Sequence, residues 1–268
     1  MFPTLLFLAC AHTTNPAPAP SPALVSGPVS VPAPAASEPA PSVDYAALVA
    51  APDRTDADRA LDEGRKPAQL LEAIGVQPGD RVADLMAGGG YTTELLARAV
   101  GPQGQVYGQN NRFVLERFAE GPWSERLARP VNAPVVRLDR ELDDPLGEVG
   151  ELDIVVMVLF YHDSVWQEVD RPAMNAAIFR ALQPGGRYVV VDHSARAGSG
   201  LEDVETLHRI DEDTVRQEIA AAGFRLVDSP DFLRNPDDTR DWSASPGKAA
   251  ERRGTSDRFV LVFERPAG

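Results

Sequence analysis

The chain has 268 residues, of which 40 are acidic and 26 are Lys or Arg, and its formal net charge is -14. This length suits one well-buried domain and is short for two. Lys and Arg form no cluster of the kind that binds nucleic-acid phosphates, so a nucleic-acid partner is not expected. The single cysteine, Cys10, excludes an internal disulfide bond and a cysteine-based zinc site.

The first 43 residues differ in composition from the rest. A short apolar start, MFPTLLFLAC, ends at Cys10, and Glu38 is the only charged residue between 11 and 43. This pattern resembles a bacterial lipoprotein signal, followed by a disordered tether rich in Pro, Ala and Ser. A wrongly assigned start codon before a disordered tail is the alternative. We expect a signal segment at 1–10 with a lipid on Cys10 as the one membrane contact, a tether at 11–43 and a globular domain at 44–268.

In the globular part, short apolar runs alternate with amphipathic segments, which predicts an α/β fold. The alternation indicates a doubly wound, mostly parallel seven-stranded sheet with helices on both faces. The last two strands have no crossover helix between them and are expected to pair antiparallel, and the segment 230–256 that joins them is predicted to form a lid. Helices are predicted at 45–51, 56–75, 91–100, 111–120, 172–182 and 213–222. Strands are predicted at 81–85, 105–109, 134–138, 152–160, 187–193, 224–229 and 257–265.

A glycine turn follows the first predicted strand, in VADLMAGGGYTTELL (82–96). Ligands of doubly wound sheets bind beyond the carboxyl ends of the strands, and Gly88, Gly89 and Gly90 allow a close approach of the backbone. The turn lacks the Lys and Ser/Thr that end a phosphate-binding P-loop, and its spacing does not fit a dinucleotide fingerprint. A tight turn without a ligand is the alternative interpretation.

The pattern D-x-M-x-G-x-G, from Asp84 to Gly90, resembles the first motif of class I S-adenosylmethionine-dependent methyltransferases, D/E-x-G-x-G-x-G. Met86 stands in place of the first glycine. The resemblance implies that Gly88 and Gly90 pass under the methionine part of the cofactor, with Gly89 between them, and that Asp84 organises the turn or meets the cofactor's amino group through water. Stretches that resemble a bacterial group of predicted methyltransferases are GRKPAQLL, GQVYGQNNRFVLERF, VLFYHD, VVVDHSA, LHRID and TSDRFVLVF.

The same resemblance implies four cofactor contacts away from the turn. Gln109 and Asn110 stand where the family usually has an acid that binds both ribose hydroxyls. Asp139, after the third strand, is placed to face the adenine amine. Arg65, before the first strand, is placed to reach the cofactor's carboxylate, with a surface salt bridge as the alternative.

Three histidines are predicted to meet at the carboxyl edge of the sheet. His162 follows the fourth strand, His193 ends the fifth and His208 precedes the next helix. In one interpretation a histidine is the general base for the methyl acceptor, with His162 backed by Asp163 as the first choice and His193 and His208 as its companions. In a second, the three histidines bind a metal such as zinc together with Asp163 or Asp192. Structural histidines, each bonded to a carboxylate in its own loop, are the third.

The sequence therefore predicts an enzyme that transfers a methyl group from S-adenosylmethionine to a small molecule with histidine assistance. A lipid on Cys10 would place the domain in the cell envelope, where this cofactor is not expected to be supplied; without export the domain is cytoplasmic. Two alternatives stay open. One is an exported, lipid-anchored domain of the same fold that binds a small ligand or a metal through its histidines without methylating. The other is a lipid-anchored scaffold that binds a partner protein.

Overall fold

The computed structural model describes Met1 and residues 43–268, so the predicted signal segment and tether lie almost entirely outside the described residues. Within the described part, the strands form one seven-stranded sheet in the order β3-β2-β1-β4-β5-β7-β6. β7 runs antiparallel to β5 and β6, and the other neighbours are parallel. This confirms the predicted sheet and its antiparallel last pair. The strands are β1 (Arg81–Leu85), β2 (Gln105–Asn110), β3 (Val135–Asp139), β4 (Leu152–Val158), β5 (Leu182–His193), β6 (Arg225–Asp228) and β7 (Arg258–Glu264).

Helices cover both faces of this sheet, because alternate residues of the central strands point to opposite sides. One apolar cluster contains Val82 and Val156 with α3 and α4, and the other contains Ala83 and Val155 with α6, α8 and α10. The helices are α1 (Tyr45–Val49), α2 (Asp56–Arg65), α3 (Pro67–Ile74), α4 (Tyr91–Val100), α5 (Arg112–Val114), α6 (Glu120–Leu127), α7 (Asp163–Trp166), α8 (Arg171–Ala181), α9 (Val204–Leu207) and α10 (Glu212–Ala221). Among residues 43–268, no helix is both long enough and apolar enough to span a bilayer.

The register of the sheet brings the predicted site segments to one edge. Leu85, at the end of β1, lies beside Gln109 of β2 on one side and Met157 of β4 on the other. The strand order reverses at β1, which is where doubly wound sheets open a crevice for ligands. Ser194 forms a parallel bridge with Ile210, so the chain around His208 returns to the end of β5.

The helix predicted at 56–75 is two helices. Lys66 has φ 47° and ends α2, and Pro67 begins α3. A residue before proline is disfavoured in the helical region, and proline has no N–H for the preceding turn, so the helix breaks here.

The helix predicted at 111–120 is longer than expected. After α5 the chain forms a π-helical turn, Leu115–Ala119, and continues as α6. Pro122 lies in the first turn of α6 and does not end the helix.

Candidate active site

A cavity of about 700 Å³ opens in front of the turn that follows β1. Its walls are the glycine turn, the end of α2, the segment around α5, the loops after β4 and β5, and residues 245–247. The volume lies within the usual range of small-molecule sites. The predicted site residues in its lining are Arg65, Asp84, Met86, Gly88, Gly89, Asp163, His193 and His208.

Met86 keeps the backbone shape that a glycine favours at this position. Its φ is 54°, in the left-handed region that non-glycine residues rarely adopt. The side chain is 6% exposed and belongs to the same apolar cluster as Leu85 and Trp123. The residue borders the cavity but is buried in the core, and the space in front of Gly88 is open.

The glycines of the turn have different roles. At Gly88, with φ 57°, an added Cβ would meet nothing within 4 Å, and the residue borders the cavity. At Gly90 an added Cβ would lie 2.5 Å from Trp123 Cζ3, so this glycine makes room for the buried indole. Gly89 accepts a hydrogen bond from Arg126 Nε at 2.5 Å, which fixes the turn against α6.

Gln109 and Asn110 do not border the cavity, which corrects the expectation that they bind the ribose. Gln109 Oε1 accepts the Met86 N–H at 3.0 Å, and its Nε2 donates to the Arg140 carbonyl at 2.5 Å. Asn110 Oδ1 accepts the Gly88 N–H at 2.8 Å, and Asn110 Nδ2 donates to the Gly88 carbonyl at 3.1 Å. A carboxylate cannot make the second of these bonds, because it has no donor. The amides at the end of β2 therefore hold the turn.

Asp139 also lies away from the cavity, so it does not take the adenine-binding place that was implied for it. It is exposed at the end of β3, the edge strand, and Arg137 Nε donates to its Oδ1 at 2.8 Å. β2 lies between β3 and β1, and Asp139 pairs with Arg137 at the surface.

Asp84 and Arg65 face the cavity with opposite charges. Burial raises the pKa of Asp84 to about 7, although Thr93 Oγ1 donates to its Oδ2 at 2.6 Å. The Arg65 guanidinium lies 4.4 Å from the centre of the Tyr91 ring, and burial lowers its pKa. In the described part of the chain Arg65 makes no hydrogen bond or ion pair, so the surface salt bridge considered for it is not formed and its donors are free for an anion.

His162 is enclosed by two carboxylates. It is fully buried, its Nδ1 lies 2.6 Å from Asp192 Oδ1, and its Nε2 lies 3.1 Å from Asp163 Oδ1. Burial alone would lower the pKa of His162, but Asp192 and Asp163 more than offset it and raise the pKa to about 10. Without a metal, His162 is therefore a cation at neutral pH. His162 is not part of the cavity lining, whereas His193 and His208 are, so His162 as the general base stays a prediction.

His193 and His208 lie on the cavity wall beside His162. The ring centres are 4.1 Å apart for His162 and His208, and 5.8 Å apart for His162 and His193. His193 Nδ1 lies 2.7 Å from Ser256 Oγ, and burial together with the nearby positive charge of His162 holds the pKa of His193 well below its usual value. Burial and His162 also lower the pKa of His208. The structure thus brings the three predicted histidines together.

Four residues of this site were not identified from the sequence: Phe113, Phe118, Trp123 and Arg126. Phe113 and Phe118 form an aromatic wall with Trp166, whose ring centre lies 5.4 Å from that of Phe113. Trp123 and Arg126 support the turn from α6. The π-helical turn changes the face that these side chains present, so regular helical periodicity does not reveal them.

The segment predicted to be a lid contributes Ser245, Pro246 and Gly247 to the cavity wall. It is anchored by a fully buried ion pair between Arg209 and Asp238, 2.8 Å apart. The segment therefore covers the cavity next to the histidines.

Comparisons with known proteins agree with this architecture. A methyltransferase from Aquifex aeolicus that depends on S-adenosylmethionine superposes with a TM-score of 0.53 at 16% identity, over 83% of this chain and 98% of that one. The chain has the class I methyltransferase fold. The [4+2]-cyclase SpnF shares this fold, with a TM-score of 0.54 at 18% identity over 79% of this chain and 82% of its own. These distant similarities establish the fold. The reaction has to be inferred from the residues of the site, because one fold can support many reactions.

A sequence relative is consistent with the methyltransferase fold. The ubiquinone/menaquinone biosynthesis C-methyltransferase UbiE of Teredinibacter turnerae is 28% identical over 151 residues, which are 52% of this chain and 53% of that protein. The chain thus spans about half the length of this curated relative. No family model matches the chain. Together the two kinds of similarity point to the class I methyltransferase fold that the sequence predicted.

Proposed function

We propose that this protein transfers the methyl group of S-adenosylmethionine to a small molecule bound in the cavity at the carboxyl edge of the sheet. The observation that carries the proposal is the open space in front of Gly88, beside a Met86 that has a left-handed backbone and is buried in the core cluster. The similarity to a C-methyltransferase supports the same reaction class.

The charges of the cavity suit the amino-acid end of the cofactor. The Arg65 guanidinium, which has no partner among residues 43–268, would bind the carboxylate, and Asp84 would meet the ammonium group, directly or through water. Gly88 borders the same cavity and lets the backbone approach the ligand. Two aromatic side chains of the cavity lining, Phe113 and Phe118, offer flat surfaces to the adenine.

Methyl transfer depends mainly on aligning the acceptor atom with the methyl group and the sulfonium. Where the acceptor carries a proton, a neutral histidine beside it assists by accepting that proton. His193 is the candidate, because it borders the cavity, is held through Nδ1 by Ser256, and has no carboxylate partner among the described residues. His162 and Asp163 then act by positioning their neighbours.

Calorimetry with S-adenosylmethionine and with its demethylated product tests cofactor binding. We expect both ligands to bind. We expect Arg65→Gln to weaken their binding by about tenfold or more, because one charge-assisted contact is lost. Arg253→Gln is the matched control, because Arg253 is exposed and lies outside the lining of this cavity. Absence of binding to both ligands would overturn the proposal.

Turnover is then measured as formation of the demethylated cofactor with a panel of small acceptors. The panel includes carbon, oxygen, nitrogen and sulfur nucleophiles, because the curated relative is named a C-methyltransferase. His193→Gln should lower kcat for acceptors that lose a proton and leave cofactor affinity unchanged. An equal loss of cofactor affinity would instead assign His193 to binding.

The lipid on Cys10 remains a proposal, since Cys10 lies outside the described residues. Fractionation of cells that express the full chain and the Cys10→Ser variant tests it. A chain that moves from the membrane fraction to the soluble fraction with this substitution supports the anchor, and equal distribution of the two contradicts it.

A further inference from the structure

We propose that His162, Asp163 and His208 bind a divalent transition-metal cation, of which zinc is the representative, at the wall of the cavity. Each residue offers one ligand atom, and these atoms all lie within 4.8 Å of one another. Two imidazoles and one carboxylate are a ligand set that zinc and other first-row divalent cations accept in open sites.

The spacing of the ligand atoms fits a shared cation. Asp163 Oδ1 lies 3.1 Å from His162 Nε2 and 3.4 Å from His208 Nδ1. Two ligand atoms that are each about 2.1 Å from a tetrahedral ion stand about 3.4 Å apart. The carboxylate oxygen is thus placed as the common neighbour of two imidazole nitrogens, at separations that a metal between them produces.

A second, independent observation concerns His162 Nε2. This atom is buried and makes no hydrogen bond of acceptable geometry, even though Asp163 Oδ1 is only 3.1 Å away. The opposite nitrogen is well partnered: Nδ1 lies 2.6 Å from Asp192 Oδ1, and Asp192 also accepts the backbone N–H groups of His162 and His193. A carboxylate that accepts at Nδ1 puts the proton there and leaves the lone pair on Nε2, as in carboxylate–histidine–metal arrangements.

The charge of the cluster also favours a divalent ion. Asp163 and Asp192 place two carboxylates around one buried ring. A divalent cation at this place carries the charge that compensates both of them. Buried charges are costly unless they are compensated.

His193 is outside this ligand set, which distinguishes the site from the three-histidine set that the sequence suggested. Its ring centre is 5.8 Å from that of His162 and 6.5 Å from that of His208, and its Nδ1 bonds to Ser256. Asp163 and His208 border the cavity, so an open coordination position would face the acceptor. A role in binding the acceptor rests on the proposed function, whereas the metal site itself does not.

Titration of chelator-dialysed full-length protein with Zn²⁺ and with Co²⁺ tests the site. We expect one tight equivalent, and a Co²⁺ absorption band of the kind that mixed nitrogen and oxygen ligands give. His208→Ala and Asp163→Asn should each lower metal affinity by about 100-fold or more, and Asp192→Asn by about 10–100-fold. Circular dichroism confirms that each variant is folded, and His208→Ala is the most tolerant choice because its side chain is partly exposed.

His193→Ala is the matched control and should change metal affinity by less than about threefold, since it removes a neighbouring histidine that is no ligand. Wild-type protein that binds no Zn²⁺ or Co²⁺ overturns the proposal. Equal losses in His193→Ala and His208→Ala overturn the ligand set. Metal binding is measured in the absence of S-adenosylmethionine. The result therefore does not depend on whether the proposed methyl transfer occurs.

Discussion

The indole ring of Trp123 occupies the space that a side chain on Gly90 would need, 2.5 Å from the position of its Cβ. The same ring lies 2.5 Å from the Cβ position of Gly108, on the neighbouring strand β2. One buried tryptophan therefore requires two glycines, and it locks the turn after β1 to the strand beside it. This relationship explains a glycine that the family resemblance assigns to the cofactor.

Alanine at position 90 should therefore cost far more than alanine at position 88. Both positions have positive φ, which costs an alanine about 1–2 kcal/mol. Gly90→Ala adds a clash with Trp123, and we expect it to lower the free energy of unfolding by about 2–5 kcal/mol in total. Gly88→Ala, whose Cβ meets nothing, is the control. Urea unfolding measures both, and equal losses would mean that Trp123 does not fill this space.

Met86 provides a test of backbone strain. Met86→Ala and Met86→Gly both remove a buried side chain, which should lower the free energy of unfolding by about 2–5 kcal/mol. Because φ is 54°, the glycine variant should be the more stable of the two by about 1 kcal/mol. At Leu95, inside helix α4, the order should reverse, since alanine favours a helix interior by about 1 kcal/mol over glycine. The same order at both positions would argue against a left-handed Met86.

The sequence was sufficient to predict the sheet because its signals are local. The apolar run at 152–160 and the alternation of strands with amphipathic helices depend on near neighbours in the chain. The break at Pro67 was also visible in the sequence, but the apolar periodicity on either side of it concealed the change of direction. The π-helical turn was not predictable, because its buried residues Leu115 and Ala119 pack into a core cluster that is assembled only in the fold.

The roles of individual site residues were harder to predict than their places. The three histidines do converge, but the protonation of His162 depends on Asp192 and Asp163, which approach it only in the fold. Gln109 and Asn110 stand at the expected strand end, yet they bond to the backbone of residues 86 and 88. Side-chain direction and pairing decide such roles, and neither is encoded in spacing.

The affinity for S-adenosylmethionine should rise with pH up to about 7. Burial raises the pKa of Asp84 to about 7 in the ligand-free protein, so below that pH the carboxyl is protonated. A ligand with ammonium and sulfonium charges binds better to the ionised Asp84 carboxylate, so this proton must leave when the ligand binds. Below pH 7 the affinity should therefore fall by up to about tenfold for each pH unit. Calorimetry from pH 5.5 to 8.5 checks this. Asp84→Asn should show no such rise, and an equal rise in that variant would point to another group.

The ion pair between Arg209 and Asp238 should prove strongly coupled, because both side chains are fully buried and anchor the segment that covers the cavity. Removing one partner leaves an uncompensated buried charge, so Arg209→Met and Asp238→Asn should each cost about 3–5 kcal/mol. The double variant loses both charges, and its Asn can still accept the Asp257 N–H that Asp238 accepts. We therefore expect the double variant to cost at least about 2 kcal/mol less than the sum of the single losses. Urea unfolding of the four proteins gives the coupling, and additive losses would mean that the two groups do not pair in solution.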